Sequence, residues 1–227
     1  TLSTPVSYSA EQTGISIDRE QLTQRIRSAV LAGLSTDVEV PCTSVTPALT
    51  LSAIQAENAL VAQYTTSFSG STHSAPNRVF NMKKAAAAIN GLVIIPGATF
   101  DCNAVLGDRT GENGWKLAPG IRNGRYEDEY GGGVCQISST LFNAALMADL
   151  TITERHPHSW PMGYVEIGRD ATISTGGKNF RFVNNSGAPL TLYMHVDEEE
   201  KTVTASIYGK PLEGDVHIDV VSEKTGT

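Results

Sequence analysis

The chain of 227 residues is long enough for one large or two small domains at about 150 residues each, and its 40% apolar and 18% charged residues are those of an ordinary globular protein. Acidic residues (24) outnumber basic ones (17) for a net charge of −7, with no basic stripe, which excludes nucleic-acid binding driven by phosphate neutralisation. No apolar run approaches the roughly 20 residues of a membrane-spanning helix, so a soluble stretch is expected, and its start at Thr1 without an initiator Met is expected where an upstream anchor or signal has been removed.

Residues 13–34 carry Leu22, Ile26 and Val30 at helical spacing, with Asp18 as the N-cap and a stop at Gly33. Alternation through Val38, Val40 and Val45 predicts a strand ending at Pro47, and Leu51, Ile54 and Leu60 predict a helix over 49–64. Residues 67–77 are small, polar and aperiodic, the composition of a linker. The expected domains are therefore 1–72 and 73–212, with a C-terminal tail over 213–227.

In the second domain an Ala-rich helix is predicted over 81–90 and a short buried strand over 92–95. Residues 101–131 are rich in glycine, and so long an irregular stretch is expected to serve a binding site or lid. A helix follows Gly131-Gly132-Gly133-Val134-Cys135 and runs to Met147, with Ile137, Leu141 and Ala145 on its apolar face. Strands are predicted over 151–154, 164–167, 171–175, 179–183, 190–196 and 202–208. Helices followed by an antiparallel sheet make an α+β fold.

The three cysteines, Cys42, Cys102 and Cys135, are too few for a disulfide scaffold, and their odd number leaves at least one free thiol. Cys135 begins a helix, where unpaired N–H groups and the positive end of the dipole favour a thiolate. Burial as an inert core thiol is the competing reading. Arg155-His156-Pro157-His158-Ser159-Trp160 follows at a distance one helix and one strand can fold back upon, and Asp170 lies 12 residues beyond His158. Cys135, His158 and Asp170 thus read as nucleophile, base and orienter, with His156 the rival base. Cys135, His156 and His158 match no common zinc spacing, and no metal or other cofactor is expected. The order Cys, His, Asp, with Trp160 two residues after His158, resembles the transglutaminase-like branch of the papain-type cysteine enzymes.

A more specific resemblance is carried by Asn81-Met82-Lys83-Lys84-Ala85-Ala86, Pro96-Gly97-Ala98-Thr99-Phe100, the run from Gly131 through Cys135-Gln136 to Ala144, Arg155-His156-Pro157-His158-Ser159 and Gly168-Arg169-Asp170-Ala171-Thr172. Together these resemble the VanW family, named after an accessory protein of glycopeptide-resistance clusters, over about residues 78–210. Residues 1–70, with Pro47-Ala48-Leu49-Thr50 and Tyr64-Thr65-Thr66-Ser67-Phe68, resemble the peptidoglycan-binding domain that often precedes VanW. The resemblance implies an extracytoplasmic, cell-wall-associated protein held by an N-terminal membrane segment, with peptidoglycan or its stem peptides as partner. Cys42 and Cys102 depart from the family pattern, one in each expected domain. In an oxidising exterior they are expected to form a disulfide that leaves Cys135 free, with two buried thiols as the alternative.

The function expected is Cys-dependent acyl transfer or amide hydrolysis on peptidoglycan peptides. Backbone N–H groups over 133–136 and the Gln136 amide are expected to hold the oxyanion, and Gly131, Gly132, Gly133, Arg155 and Trp160 to bind substrate. The rival is a non-catalytic wall-binding or sensing module in which the same turn and His pair form a ligand cleft.

Overall fold

The structure, a computed structural model, describes residues 10–47, 50–52, 58–70, 75–122, 125–214 and 216–223. Its two compact units are Thr1–Ala56 and Glu57–Thr227.

In the first unit, β1 (Gly14–Ile17) and β2 (Cys42–Val45) pair antiparallel, and α1 (Arg19–Leu31) joins them. Asp18 caps α1 as its spacing predicts, accepting from the N–H of Gln21 at 2.9 Å. Gly33 ends it at a left-handed φ of +64°, while the N–H of Leu34 returns to the Ala29 carbonyl. The expected helix over 13–34 starts later because Ile15 and Ile17 alternate with Gly14 and Ser16, a period-two pattern that pairs with β2. The strand expected up to Pro47 contracts to β2, and residues 48–49 lie outside the described residues.

The second unit is built on an antiparallel sheet of order β3-β11-β10-β4, from β3 (Ala59–Ser67), β4 (Leu92–Ile94), β10 (Leu190–Asp197) and β11 (Thr202–Gly209). Two helices, α2 (Pro76–Ile89) and α4 (Val134–Met147), pack on it. Pro76 begins α2, where its missing N–H costs no helical bond. Met82, Ala85, Ala86 and Ile89 then bury one helical face against Ile137, Leu141, Leu192 and Ile207. A second sheet, β5 (Thr99–Asp101), β9 (Arg181–Val183) and β8 (Thr151–Glu154), has the order β5-β9-β8. Phe100 stacks on Phe182 at 4.9 Å, and Phe142 of α4 meets Phe180 edge-on at 5.7 Å, so aromatic packing fastens this sheet to the helix. The fold is α+β, as the sequence predicts.

Several expectations change. The helix predicted over 49–64 ends as β3, whose β-branched Thr65 and Thr66 pair along β11; residues 53–57 lie outside the described residues. Because β3 is an edge of the second unit's sheet, the units divide between Ala56 and Glu57 rather than at residue 72. Residues 71–74 of the expected linker lie outside the described residues. The stretch over 101–131 is not a loop: it holds α3 (Cys102–Leu106) and the hairpin of β6 (Leu117–Arg122) with β7 (Arg125–Tyr130). The strands expected over 164–167 and 171–175 are irregular backbone, and side chains of α4 hold Arg169 and Ala171 where a ladder would otherwise be needed. The described part of the tail belongs to the second unit: Val216, His217 and Ile218 line a groove with Leu60, Val61 and Met147. The Val220 carbonyl accepts from Arg169.

Phe182→Ala empties a fully buried site packed against two other aromatic rings, Phe100 and Phe180. Urea unfolding of the variant is expected to show a loss of about 3–5 kcal/mol, against well under 1 kcal/mol for the exposed Val93→Ala.

Candidate active site

Cys135 is the second residue of α4, and the turn before it can be made only of glycine. Gly131 and Gly133 have φ of +81° and +105°, and a Cβ on Gly132 would lie 2.4 Å from the Ala118 carbonyl oxygen of β6. The N–H groups of Val134 and Gln136 close tight bonds to Gly131 and Gly133, while no acceptor among the described residues takes that of Cys135. The Cys135 thiol therefore stands beside a free amide at the positive end of a helix.

The segment carrying the other two groups is fastened to α4 by its polar face. Ser138 donates to the Ala171 carbonyl at 2.6 Å, Ser139 accepts from the Ala171 N–H at 2.9 Å, and Asn143 donates to the Arg169 carbonyl at 2.8 Å. Arg155 then bridges the two parts of the segment, donating from Nε to the Asp170 carbonyl at 2.6 Å and from Nη2 to Asp170 Oδ1 at 2.8 Å. The His158 N–H and Nδ1 both reach Asp170 Oδ2 at 2.5 Å.

The His158 imidazole and the Cys135 thiol lie within electrostatic reach, each shifting the titration of the other. With Nδ1 occupied by Asp170, Nε2 is the nitrogen left for sulfur, and Thr172 Oγ1 and the Ile173 carbonyl each lie 3.5 Å from Sγ. The sequence-predicted trio is thus a connected chain of Cys135, His158 and Asp170, with His158 and Asp170 side chains 9% and 10% exposed.

The charges reinforce one another. Burial pushes the Cys135 thiol up, but the His158 hydrogen bond and charge outweigh it and hold the thiol below its ordinary value. Burial pulls His158 down, yet Asp170 and Cys135 together raise it to about 9. Burial raises the Asp170 carboxyl as well, and His158 with Arg155 more than offsets that, so it stays below the usual range. The three shifts favour a thiolate–imidazolium pair leaning on a carboxylate, the kind of arrangement that activates a cysteine nucleophile.

Other predicted residues are engaged elsewhere. Gln136 is fully buried; its Oε1 accepts from Arg78 at 2.9 Å and its Nε2 donates to Thr66 Oγ1 and the Ser67 carbonyl, both at 3.0 Å, so its amide is not available to an oxyanion. His156 Nε2 pairs with Glu154 at 3.0 Å, away from the thiol chain. Gly131 and Gly132 are buried, and the space beside all three glycines is filled by Arg109, Ala118 and Arg78. Arg155 positions Asp170, and Trp160 is exposed. Of the two cysteines expected to pair, Cys42 is an exposed free thiol, and Cys102 is a free thiol sealed in the core of the second unit, where burial pushes it up to about 12.

Tyr164 was not predicted. Burial pushes its pKa far above the ordinary value, with Cys135 and Ser139 within electrostatic reach. Nothing in its local sequence marks it, because irregular backbone brings it there. Among the described residues, no cluster of three His, Cys, Asp or Glu side chains is arranged to hold a metal ion, and no helix is long and apolar enough to cross a membrane.

The family described as VanW like protein matches residues 77–208, which contain the whole thiol chain. The chain belongs to the VanW family. It is 45% identical over 130 residues to Uncharacterized protein YoaR of Bacillus subtilis (strain 168), covering 57% of this chain and 42% of that protein. It is 33% identical over 129 residues to Vancomycin B-type resistance protein VanW of Enterococcus faecalis (strain ATCC 700802 / V583), covering 55% of this chain and 47% of the other. The match thus spans less than half the length of either curated relative. No solved structure matches the chain. The VanW match excludes β3, although β3 completes the sheet under α4 and supplies Thr66 and Ser67 to Gln136.

Because His158 holds the Cys135 thiol below its ordinary value, alkylation of Cys135 by iodoacetamide is expected to persist below the pH at which a free thiol of pKa about 8.5 stops reacting. Rates by pH, resolved by peptide mass mapping, check this; a Cys135 profile equal to that of a simple thiol would refute the ion pair.

Proposed function

We propose that this protein is a cell-wall enzyme that acts on peptidoglycan peptides by cysteine-dependent acyl transfer or amide hydrolysis. The observation that carries the reading is the Cys135–His158–Asp170 chain at the free N-terminus of α4.

In the first step the Cys135 thiolate attacks an amide carbonyl carbon, forming the C–S bond while the carbonyl oxygen takes the electron pair. The free Cys135 N–H and the helix dipole meet that developing charge. The His158 imidazolium gives its proton to the departing amine as the C–N bond breaks, leaving a thioester and a neutral imidazole. Water or an acceptor amine then attacks the thioester, passes its proton to His158, and restores the thiolate. Asp170 holds Nδ1 throughout, so the ring keeps Nε2 toward sulfur.

Peptidoglycan as substrate is supported by family membership and by the vancomycin-resistance name of the Enterococcus faecalis relative. In this reading the site lies on the outer side of the membrane, and the first unit supplies wall binding.

With isolated peptidoglycan and defined stem peptides, Cys135→Ala and His158→Ala are each expected to lower turnover by about 10³-fold or more, with the double variant little worse. His156→Ala is expected to keep most activity, since its ring pairs with Glu154. Saturable binding without product or a Cys135 acyl adduct would replace the enzyme with a binding module.

A second expectation concerns pH. The imidazolium loses its proton as pH rises through about 9, and Asp170 is one of the groups that raises that value. In Asp170→Asn the alkaline limb of the kcat/KM profile should therefore move to lower pH. An unmoved limb would mean that Asp170 does not act through His158.

A further inference from the structure

The chain beyond β11 runs past the end of the VanW match at residue 208 and returns to the segment that carries Asp170. Leu212, Val216 and Ile218 lie along a groove of about 250 Å³ whose opposite wall is Leu60 and Val61 of β3 with Met147 of α4. Leu212 and Ile218 are half-buried there, while Val216 is 54% exposed. Among the described residues no backbone hydrogen bond joins this segment to the edge of β3. Apolar contact and one polar tie therefore hold it: the Val220 carbonyl accepts from Arg169 Nη1 at 3.1 Å.

Arg169 is the residue before Asp170, and its side chain is only 12% exposed. Its Nε donates to Asn143 Oδ1 at 2.6 Å, its carbonyl accepts from Asn143 Nδ2 at 2.8 Å, and its guanidinium lies 4.9 Å over the Tyr64 ring of β3. Glu166, its carboxylate neighbour at 3.7 Å, is itself 64% exposed. A shielded guanidinium cannot shed its proton, so it needs each acceptor it has. Without Val220 the fork loses an acceptor, water reaches it, and the double grip of Asn143 on the residue next to Asp170 slackens. The charged and titratable groups facing His158 are Asp170 and Cys135, and those facing Asp170 are His158 and Arg155, with Tyr164 within electrostatic reach of Cys135 and Asp170.

We propose that residues 212–220 form a strap that positions Asp170: docked against β3 and Met147, it holds Arg169 on Asn143 and thereby keeps the Asp170 carboxylate on His158. Arg169 is a positioning residue, and the strap belongs to the working site although it lies beyond the family match. Its effect on catalysis rests on the acyl-transfer reading above; its effect on the thiol does not. One polar tie and a partly empty groove put the strap at the low-stability end of the second unit. Its release is thus a route by which the site is slackened without any change at Cys135, His158 or Asp170.

The test follows iodoacetamide alkylation of Cys135 against pH on the full chain, with the exposed Cys42 as internal reference. Leu212→Asp with Ile218→Asp puts carboxylates into the apolar groove and releases the strap, which hydrogen exchange at the 216–221 amides confirms. Arg169→Gln removes the guanidinium that Val220 meets. In either protein a slackened Asp170 favours the His158 imidazolium less and leaves the Cys135 thiol closer to its ordinary value. The Cys135 rate at about pH 6 relative to about pH 9 should then fall about threefold or more, with the Cys42 ratio unchanged and Arg169→Lys between Arg169→Gln and wild type. Placed in Asp170→Asn, neither change should lower the ratio further, because both act through the same carboxylate. A Cys135 ratio left at its wild-type value by a released strap or a folded Arg169→Gln would make these contacts merely structural and overturn the proposal. A fall that adds in full to that of Asp170→Asn would overturn it too. Should one variant fail to fold, or the strap stay docked, the other decides. The expected fall without turnover of any wall peptide would refute the acyl-transfer reading and leave the strap standing.

Discussion

Five polar side chains of α4, namely Gln136, Ser138, Ser139, Thr140 and Asn143, are fully buried. A buried polar group without a partner costs about 1–3 kcal/mol, so each must be answered by something packed against the helix. Gln136 and Thr140 are answered by Thr66 of β3 and Arg78 of α2, which seat α4 between the sheet and its neighbouring helix. Ser138, Ser139 and Asn143 are answered by the backbone of 169–171, which draws Asp170 to the helix without any β-ladder. Satisfying one helix thus assembles both the core and the site.

That arrangement explains how irregular backbone holds a precise constellation. Arg155 binds Asp170 through both its carbonyl and its carboxylate while its guanidinium lies over the Phe142 ring. The carboxylate is thereby fixed before it meets His158. His158 is fixed twice by the same oxygen, through its N–H and its ring. The thiol at the end of this chain is partly shielded, so its anionic form depends on the imidazolium rather than on water.

The glycine triplet plays a different part from the one its composition implies. Close approach is needed, but the approaching groups are the Ala118 carbonyl and the Arg109 and Arg78 side chains rather than a substrate. The turn is a packing joint between the β6–β7 hairpin and the two helices. Its one chemical consequence is the amide of Cys135 at the start of α4, which no acceptor among the described residues takes.

The sequence by itself determined the helices around a recognisable apolar stripe, the Asp18 cap, the strands β8, β10 and β11, and the identity and order of Cys135, His158 and Asp170. These are readable because helix period, cap chemistry and a short nucleophile-to-base spacing are local properties. Only the tertiary structure decided that 59–67 is a strand, since its partner β11 lies far along the chain and pairing outweighs the helical spacing of Leu60. It also decided that His158 rather than His156 faces the thiol, because Glu154 takes one ring and Asp170 the other. It withdrew Gln136 from the oxyanion role, by spending its amide on Arg78, Thr66 and Ser67. Whether a side chain is spent on packing or left free for chemistry depends on which distant groups satisfy it, and that is settled only when the chain closes on itself.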